Sequence, residues 1–127
     1  MNNAINILLW AGQITLALAF SYSGINKAML SRDALMAKGQ TGIAGYSMPA
    51  IRAIAVVELA GVLGLLLPWA LDIAPLLTPA SAAGFAVIMV LAARIHARRG
   101  EGQSVGLNLF LLCVAVVVTV ARFRQLG

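Results

Sequence analysis

Charge is scarce in this chain: nine basic and four acidic side chains serve 127 residues, 10% of the total, while 61% are hydrophobic. A water-soluble domain carries about 25% charged and roughly 45–50% apolar residues. A soluble surface cannot be built from so few charges, and the chain is too apolar to stay disordered. The single cysteine, Cys113, excludes an internal disulfide, a CxxC redox pair and a thiolate metal cluster. The single histidine, His96, cannot hold a metal without other ligands. GxSxG, HExxH and a phosphate-cradling glycine loop are absent. A formal net charge of +5 would suit nucleic acid, but the basic residues cluster between apolar blocks, which is a membrane pattern. The length allows one domain, residues 1–127.

Four blocks are nearly free of charge: Met1 to Asn26, Arg52 to Asp72 with only Glu58 inside, Ile73 to Ala93, and Gly102 to Ala121. A helix needs about 20 apolar residues to cross roughly 30 Å of hydrocarbon. Strands of a barrel would alternate in polarity, and runs such as Leu111 to Val120 do not. An all-α, integral membrane four-helix bundle is expected, with spans near 5–27, 50–67, 79–97 and 105–123. Ser47 and Pro49 read as the cap and first turn of span two, with Pro68 closing it. Thr78 and Pro79 would open span three in the same way, leaving Trp69 to Leu77 as connector. The first apolar stretch has no basic flank and exceeds a signal peptide's 7–15 residues, so it is expected to be retained. Ser31 is expected to cap a short helix through Leu35, ended by Gly39, in the long first connector. The small pairs Ala60/Gly64 and Ala80/Gly84 are expected to pack helices within the bundle.

Topology follows from the loops. Lys27, Arg32, Lys38 and Arg52 flank the first connector and Arg94, Arg98 and Arg99 the third, against Arg122 and Arg124 on the opposite side. The positive-inside rule places both basic loops in the cytoplasm and both termini outside, across a bacterial-type inner membrane. Trp10 and Trp69 would mark one interface, Tyr22 and Tyr46 the other.

The polar residues inside the apolar blocks suggest a site. Glu58 stands two turns into span two, where a charge costs at least about 2.5–3.5 kcal/mol unless it is paired or wet. Lys27 ends span one on the same side of the membrane, so a Lys27–Glu58 pair across helices is expected; Arg52 lies about 240° away on Glu58's own helix. Gln13, Ala17, Phe20, Gly24 and Lys27 share one face of span one. Asn108, Ala115 and Arg122 share one face of span four, Asn108 being level with Glu58 and Lys27. Lys27, Glu58, Asn108, Gln13 and Arg52 are the candidate ligand-binding residues, the amides supplying hydrogen bonds. A structural ion pair is the competing reading for Lys27 and Glu58. Ser21, Tyr22, Ser23 and Asn26 widen the polar zone at the cytoplasmic end of span one, with serine hydroxyls bonding back to their own helix as the competing reading. His96 is read as an interfacial residue, with proton transfer to Glu58 as the alternative, and Cys113 as an inert core thiol.

Three stretches resemble the DoxX-like family of small four-helix membrane proteins: FSYSGINKAML, RAIAVVELAGVLGLLLP and HARRGEGQSVGLNLFLLCVAVVVTVARFR. They occur in order, and the resemblance covers nearly the whole chain. The resemblance implies a four-helix bundle with Lys27, Glu58 and Asn108 at the family's polar positions. It also implies roles that differ among relatives: thiosulfate oxidation coupled to quinone, redox-stress complexes, or assembly of membrane proteins. With no cysteine pair and no evident haem or flavin site, no cofactor is expected and no reaction is assigned. Three functions stay open: an intrabundle site for a small quinone- or lipid-like ligand or a partner subunit, a non-catalytic assembly or accessory role, and a small proton-coupled exporter. Membrane or redox partner proteins and self-association are open as partners; nucleic acid is not.

Overall fold

A computed structural model describes residues 3–127. Four long helices, α1 (Asn3–Met29), α3 (Met48–Leu71), α4 (Leu77–Arg98) and α5 (Gly102–Leu126), are each long and apolar enough to cross a membrane. The short α2 (Arg32–Ala37) and a 3-10 turn at Thr41–Ile43 lie between α1 and α3. In space α1 packs on α3, α3 on α4, α4 on α5 and α5 on α1, closing a ring. The bundle is polar inside and apolar outside at several levels: Gln13, Glu58, Asn108 and Arg122 are buried, while Ile7, Leu18, Val56, Val87 and Val117 face outward. That inversion suits lipid, which solvates valine and leucine but not a carboxylate.

The expected caps form at the connector end. Ser47 Oγ accepts from Ala50 N–H at 3.3 Å, with Pro49 in the first turn of α3. Ser31 Oγ accepts from Ala34 N–H at 3.2 Å to start α2, and Gly39, at φ +81°, follows its end. Leu35, Ile43 and Ile51 then bury one another, so the first connector folds down onto the bundle.

Two boundaries differ from expectation. Pro68 does not close span two; α3 runs on to Leu71 and ends at Asp72 in the left-handed region, φ 53°. A proline inside a helix leaves the carbonyl four residues earlier without its N–H partner. Here that carbonyl, Gly64 O, takes the Thr78 hydroxyl at 3.4 Å, and the next, Leu65 O, takes Gln13 Nε2 at 2.9 Å. The Thr78 hydroxyl thus supplies what the proline removed, and the helix continues. Thr78 consequently lies inside α4 and bonds to α3 rather than capping its own helix, which begins at Leu77 with no side-chain cap.

The core lies midway along the bundle, where Phe20 and Phe85 stack at 3.9 Å between ring centroids. Close helix approach depends on Gly64, which the spacing rule picked out, and on Gly61, which it did not. A Cβ on Gly61 would come within 2.7 Å of the Phe85 ring, and one on Gly64 would clash with Ser81 Oγ. Ala60, Ala80 and Gly84 face outward instead, and a Cβ on Gly84 would meet nothing. Cys113 is also on the outer face, not in the core. Equal spacing identifies a stripe of small residues but not the side of the helix that meets a neighbour.

Candidate functional site

Glu58 is fully buried, and both its oxygens are engaged. Lys27 Nζ donates to Oε2 at 2.8 Å across the α1–α3 seam, and Ser23 Oγ donates to Oε1 at 2.8 Å. Ser23 lies four residues before Lys27, one helical turn, so a single face of α1 presents both donors. It does not bond back to its own helix, as Thr15 and Thr119 do. Arg52 holds the same joint from behind: its Nη1 donates to Lys27 O at 2.5 Å and Leu30 O at 2.8 Å. These carbonyls belong to the end of α1, where no further turn supplies N–H groups. Lys27 is therefore gripped at its backbone and at its ammonium by two residues of α3.

Two cavities meet at this pair, sharing Lys27, Glu58, Gly42, Ile88 and Ala92. One, about 260 Å³, runs outward between α3 and α4 past Ala53, Ile54, Val57 and Leu91 and is almost wholly apolar. The other, about 190 Å³, lies toward α1 and α5 and is lined by Tyr22, Ser23, Gln40, His96, Ser104 and Asn108. Donors in it stand unpartnered. Asn108 Nδ2 and Gln40 Nε2 are buried with no hydrogen bond among the described residues. An ammonium offers three donors, and Lys27 Nζ uses one of them on a carboxylate.

Of the five residues singled out by sequence, three line these cavities: Lys27, Glu58 and Asn108. Asn108 shares the polar cavity with Glu58 but has no bond to it; Ser23 takes the place expected of the amide. Arg52 lines neither cavity and serves as the cap of α1. Gln13 belongs to the other end of the bundle, bonded to Leu65 O and Arg122. It does share a face with Lys27, but 14 residues of helix separate them by about 21 Å. Periodicity gave the right direction and said nothing of depth.

His96 is buried and closes the cavity end rather than serving as a plain interfacial residue. Its Nδ1 lies 2.8 Å from Glu101 Oε1 and 3.1 Å from Thr41 Oγ1, while the Thr41 hydroxyl donates to the same Glu101 oxygen at 2.5 Å. Arg99 Nε adds a contact at 3.4 Å. Thr41 and Glu101 are 60 residues apart, so this clasp, which ties the first connector to the α4–α5 turn, has no local signature. The Thr41 hydroxyl, then His96 and Arg99, hold the Glu101 carboxyl at about 2, below its ordinary 4.5.

A family model of the DoxX-like family matches residues 11–118. This chain is a member of the DoxX-like family. The match spans α1 from its third turn through most of α5 and so includes Lys27, Glu58 and Asn108. No curated protein and no solved structure matches this DoxX-like chain.

Removing one partner of a buried ion pair leaves a charge with no counterpart, at about 3–5 kcal/mol. Lys27→Ala should therefore lower the stability of the detergent-solubilised chain by that order, and Lys27→Met with Glu58→Gln should recover most of it; thermal unfolding of the three proteins measures this. The clasp carries its own pH dependence. A carboxyl held below its ordinary value stabilises the fold above pH 4.5 and loses that contribution as pH falls from 4.5 toward 2. The protection factors of amides 40–46, exchange rates corrected for the intrinsic effect of pH, should fall across that window in the wild type and show no such step in Glu101→Gln.

Proposed function

We propose that this DoxX-like protein binds a small lipophilic molecule, quinone- or lipid-like, whose acceptor oxygens enter the polar cavity while its apolar body lies between α3 and α4. The observation that carries the reading is the set of unpartnered donors beside Glu58: Asn108 Nδ2 and Gln40 Nε2, with Lys27 Nζ at the junction of the cavities. A buried donor without a partner is costly, and a carbonyl oxygen or oxyanion supplies what the two amides lack and also suits a second N–H of Lys27. Together the cavities reach the scale of ligand sites, roughly 300–1,000 Å³, with the expected few polar groups on an apolar lining. The apolar cavity passes the outward-facing Ala53, Val57 and Leu91, which gives a lipid-soluble molecule a lateral way in.

The ion pair serves this reading by fixing where Lys27 Nζ points. The site lies at the end of the bundle that carries Arg32, Lys38, Arg94, Arg98 and Arg99, whereas the other end exposes Arg124 and buries Arg122. The positive-inside rule supports a cytoplasmic position for the site, with both termini outside an inner membrane.

Ala92 lines both cavities from α4, so Ala92→Phe should fill their junction without touching the ion pair. With decylubiquinone as probe, native mass spectrometry should show binding to the wild type and at least tenfold weaker binding to Ala92→Phe and to Asn108→Leu, with circular dichroism unchanged. Equal binding by all three proteins, or none by the wild type, overturns the reading.

A further inference from the structure

Arg122 ends a buried stripe of α5, after Asn108 and Ala115, and no part of it is exposed. Its surroundings are polar but not acidic. Nε donates to Gln13 Oε1 at 2.7 Å, and Nη1 to Asn6 Oδ1 at 2.9 Å and Gln125 Oε1 at 2.8 Å. The guanidinium packs on two indoles, 4.6 Å from the centre of Trp69 and 5.7 Å from that of Trp10. Amide oxygens and aromatic faces stabilise a cation but leave its charge in place. Among the described residues the ion pairs use Glu58 and Glu101, both at the other end. Asp72, the acid at this end, is exposed and makes no ion pair among them.

Two donors remain. Arg122 Nη2 and Gln125 Nε2 are buried and have no hydrogen-bond partner among the described residues. Both residues line one polar cavity of about 470 Å³ with Asn3, Asn6 and Trp69. A second cavity, about 460 Å³, begins at the same Gln125 and continues as a largely apolar groove along Ile5, Val116, Val117 and Val120, with Arg124 at its edge. A cation without an anion, two donors without acceptors and an outward-facing apolar channel thus adjoin one another.

We propose that this end of the bundle binds the phosphate oxyanion of an anionic phospholipid, with the headgroup on Arg122 and Gln125 and an acyl chain in the α1–α5 groove. A guanidinium and an amide N–H match two oxygens of one phosphate. The groove assigns the source: a free phosphate has no use for a valine-walled channel opening from its own site, whereas an acyl chain fills it. Arg124 at the groove's edge favours an anionic over a zwitterionic head. The site is independent of the Lys27 cavities and stands or falls separately from them.

The test uses the full chain, delipidated in detergent, with phosphatidylglycerol, phosphatidylcholine and sodium phosphate as probes and native mass spectrometry as readout. Phosphatidylglycerol should bind at least tenfold more tightly than phosphatidylcholine, and millimolar phosphate should neither bind nor displace it. Asn6→Asp places a carboxylate on Nη1, giving Arg122 an internal counter-ion while preserving its hydrogen bond. That variant should fold, by circular dichroism, and bind phosphatidylglycerol at least tenfold more weakly. Val120→Trp obstructs the groove from its exposed side, away from Arg122, and should have the same effect, which keeps the test decisive if Asn6→Asp does not fold. Equal binding of the two lipids, displacement by phosphate, or undiminished binding by the folded variants overturns the proposal.

Discussion

A carboxylate inside a membrane bundle persists only where other groups replace the water it has given up, and that requirement shapes one end of this DoxX-like protein. Glu58 is met by an ammonium and a hydroxyl from one face of α1, and the backbone of that ammonium's residue is held by Arg52 of α3. Three contacts therefore set the depth and rotation of α1 against α3. The close approach of Gly24 to Leu59, where an added Cβ would come within 2.9 Å, lies in the same seam. Continuum and mutational experience says such pairs contribute little net stability over an apolar pair, while breaking one is severe. Their use here is positional: the ion pair is a fixed polar floor from which two cavities extend.

The two ends of the bundle treat buried charge differently. At the connector end the cation has its anion, and the surplus is in neutral amides, Asn108 Nδ2 and both polar atoms of Gln40, beside a small cavity. At the other end Arg122 has amide oxygens and indole faces but no carboxylate among the described residues, so the surplus there includes a whole charge. The first arrangement suits a neutral molecule with carbonyl oxygens, the second an oxyanion. Between them lies the apolar middle of the bundle around Phe20 and Phe85, which separates the two sites. The Thr41–His96–Glu101 clasp closes the connector end by tying Thr41 of the first connector and Glu101 of the α4–α5 turn to His96 in the last turn of α4.

Much of this was legible in the chain because membrane insertion imposes rules that single residues must obey. The four apolar blocks gave the four long helices, and a lone glutamate beside a helix-ending lysine gave the pair. The capping serines and the short helix after Ser31 followed from side-chain chemistry that acts over three or four residues. What was not legible depended on partners distant in sequence. Pro68 reads as a terminator until Thr78, from another helix, is seen serving the carbonyl it leaves open, with Gln13 bonded to the next one. Gln13 reads as a neighbour of Lys27 because a helical wheel discards height. Arg122 was placed on the buried face by its seven-residue spacing from Asn108 and Ala115, a signal that its charge, counted with the outer loops, obscured. The Cys113 thiol and the Ala80/Gly84 pair show the reverse: small or apolar residues are equally comfortable in the core and against lipid, so sequence does not choose between them.

The most direct measurement is electron cryomicroscopy of the chain extracted with its native lipid and enlarged by a bound antibody fragment. The account predicts non-protein density at the Lys27–Glu58 pair, with a polar end about 3 Å from Lys27 Nζ and Asn108 Nδ2 and an apolar body emerging between α3 and α4. Water-sized peaks alone in both cavities, or side chains collapsed to fill them, would contradict it.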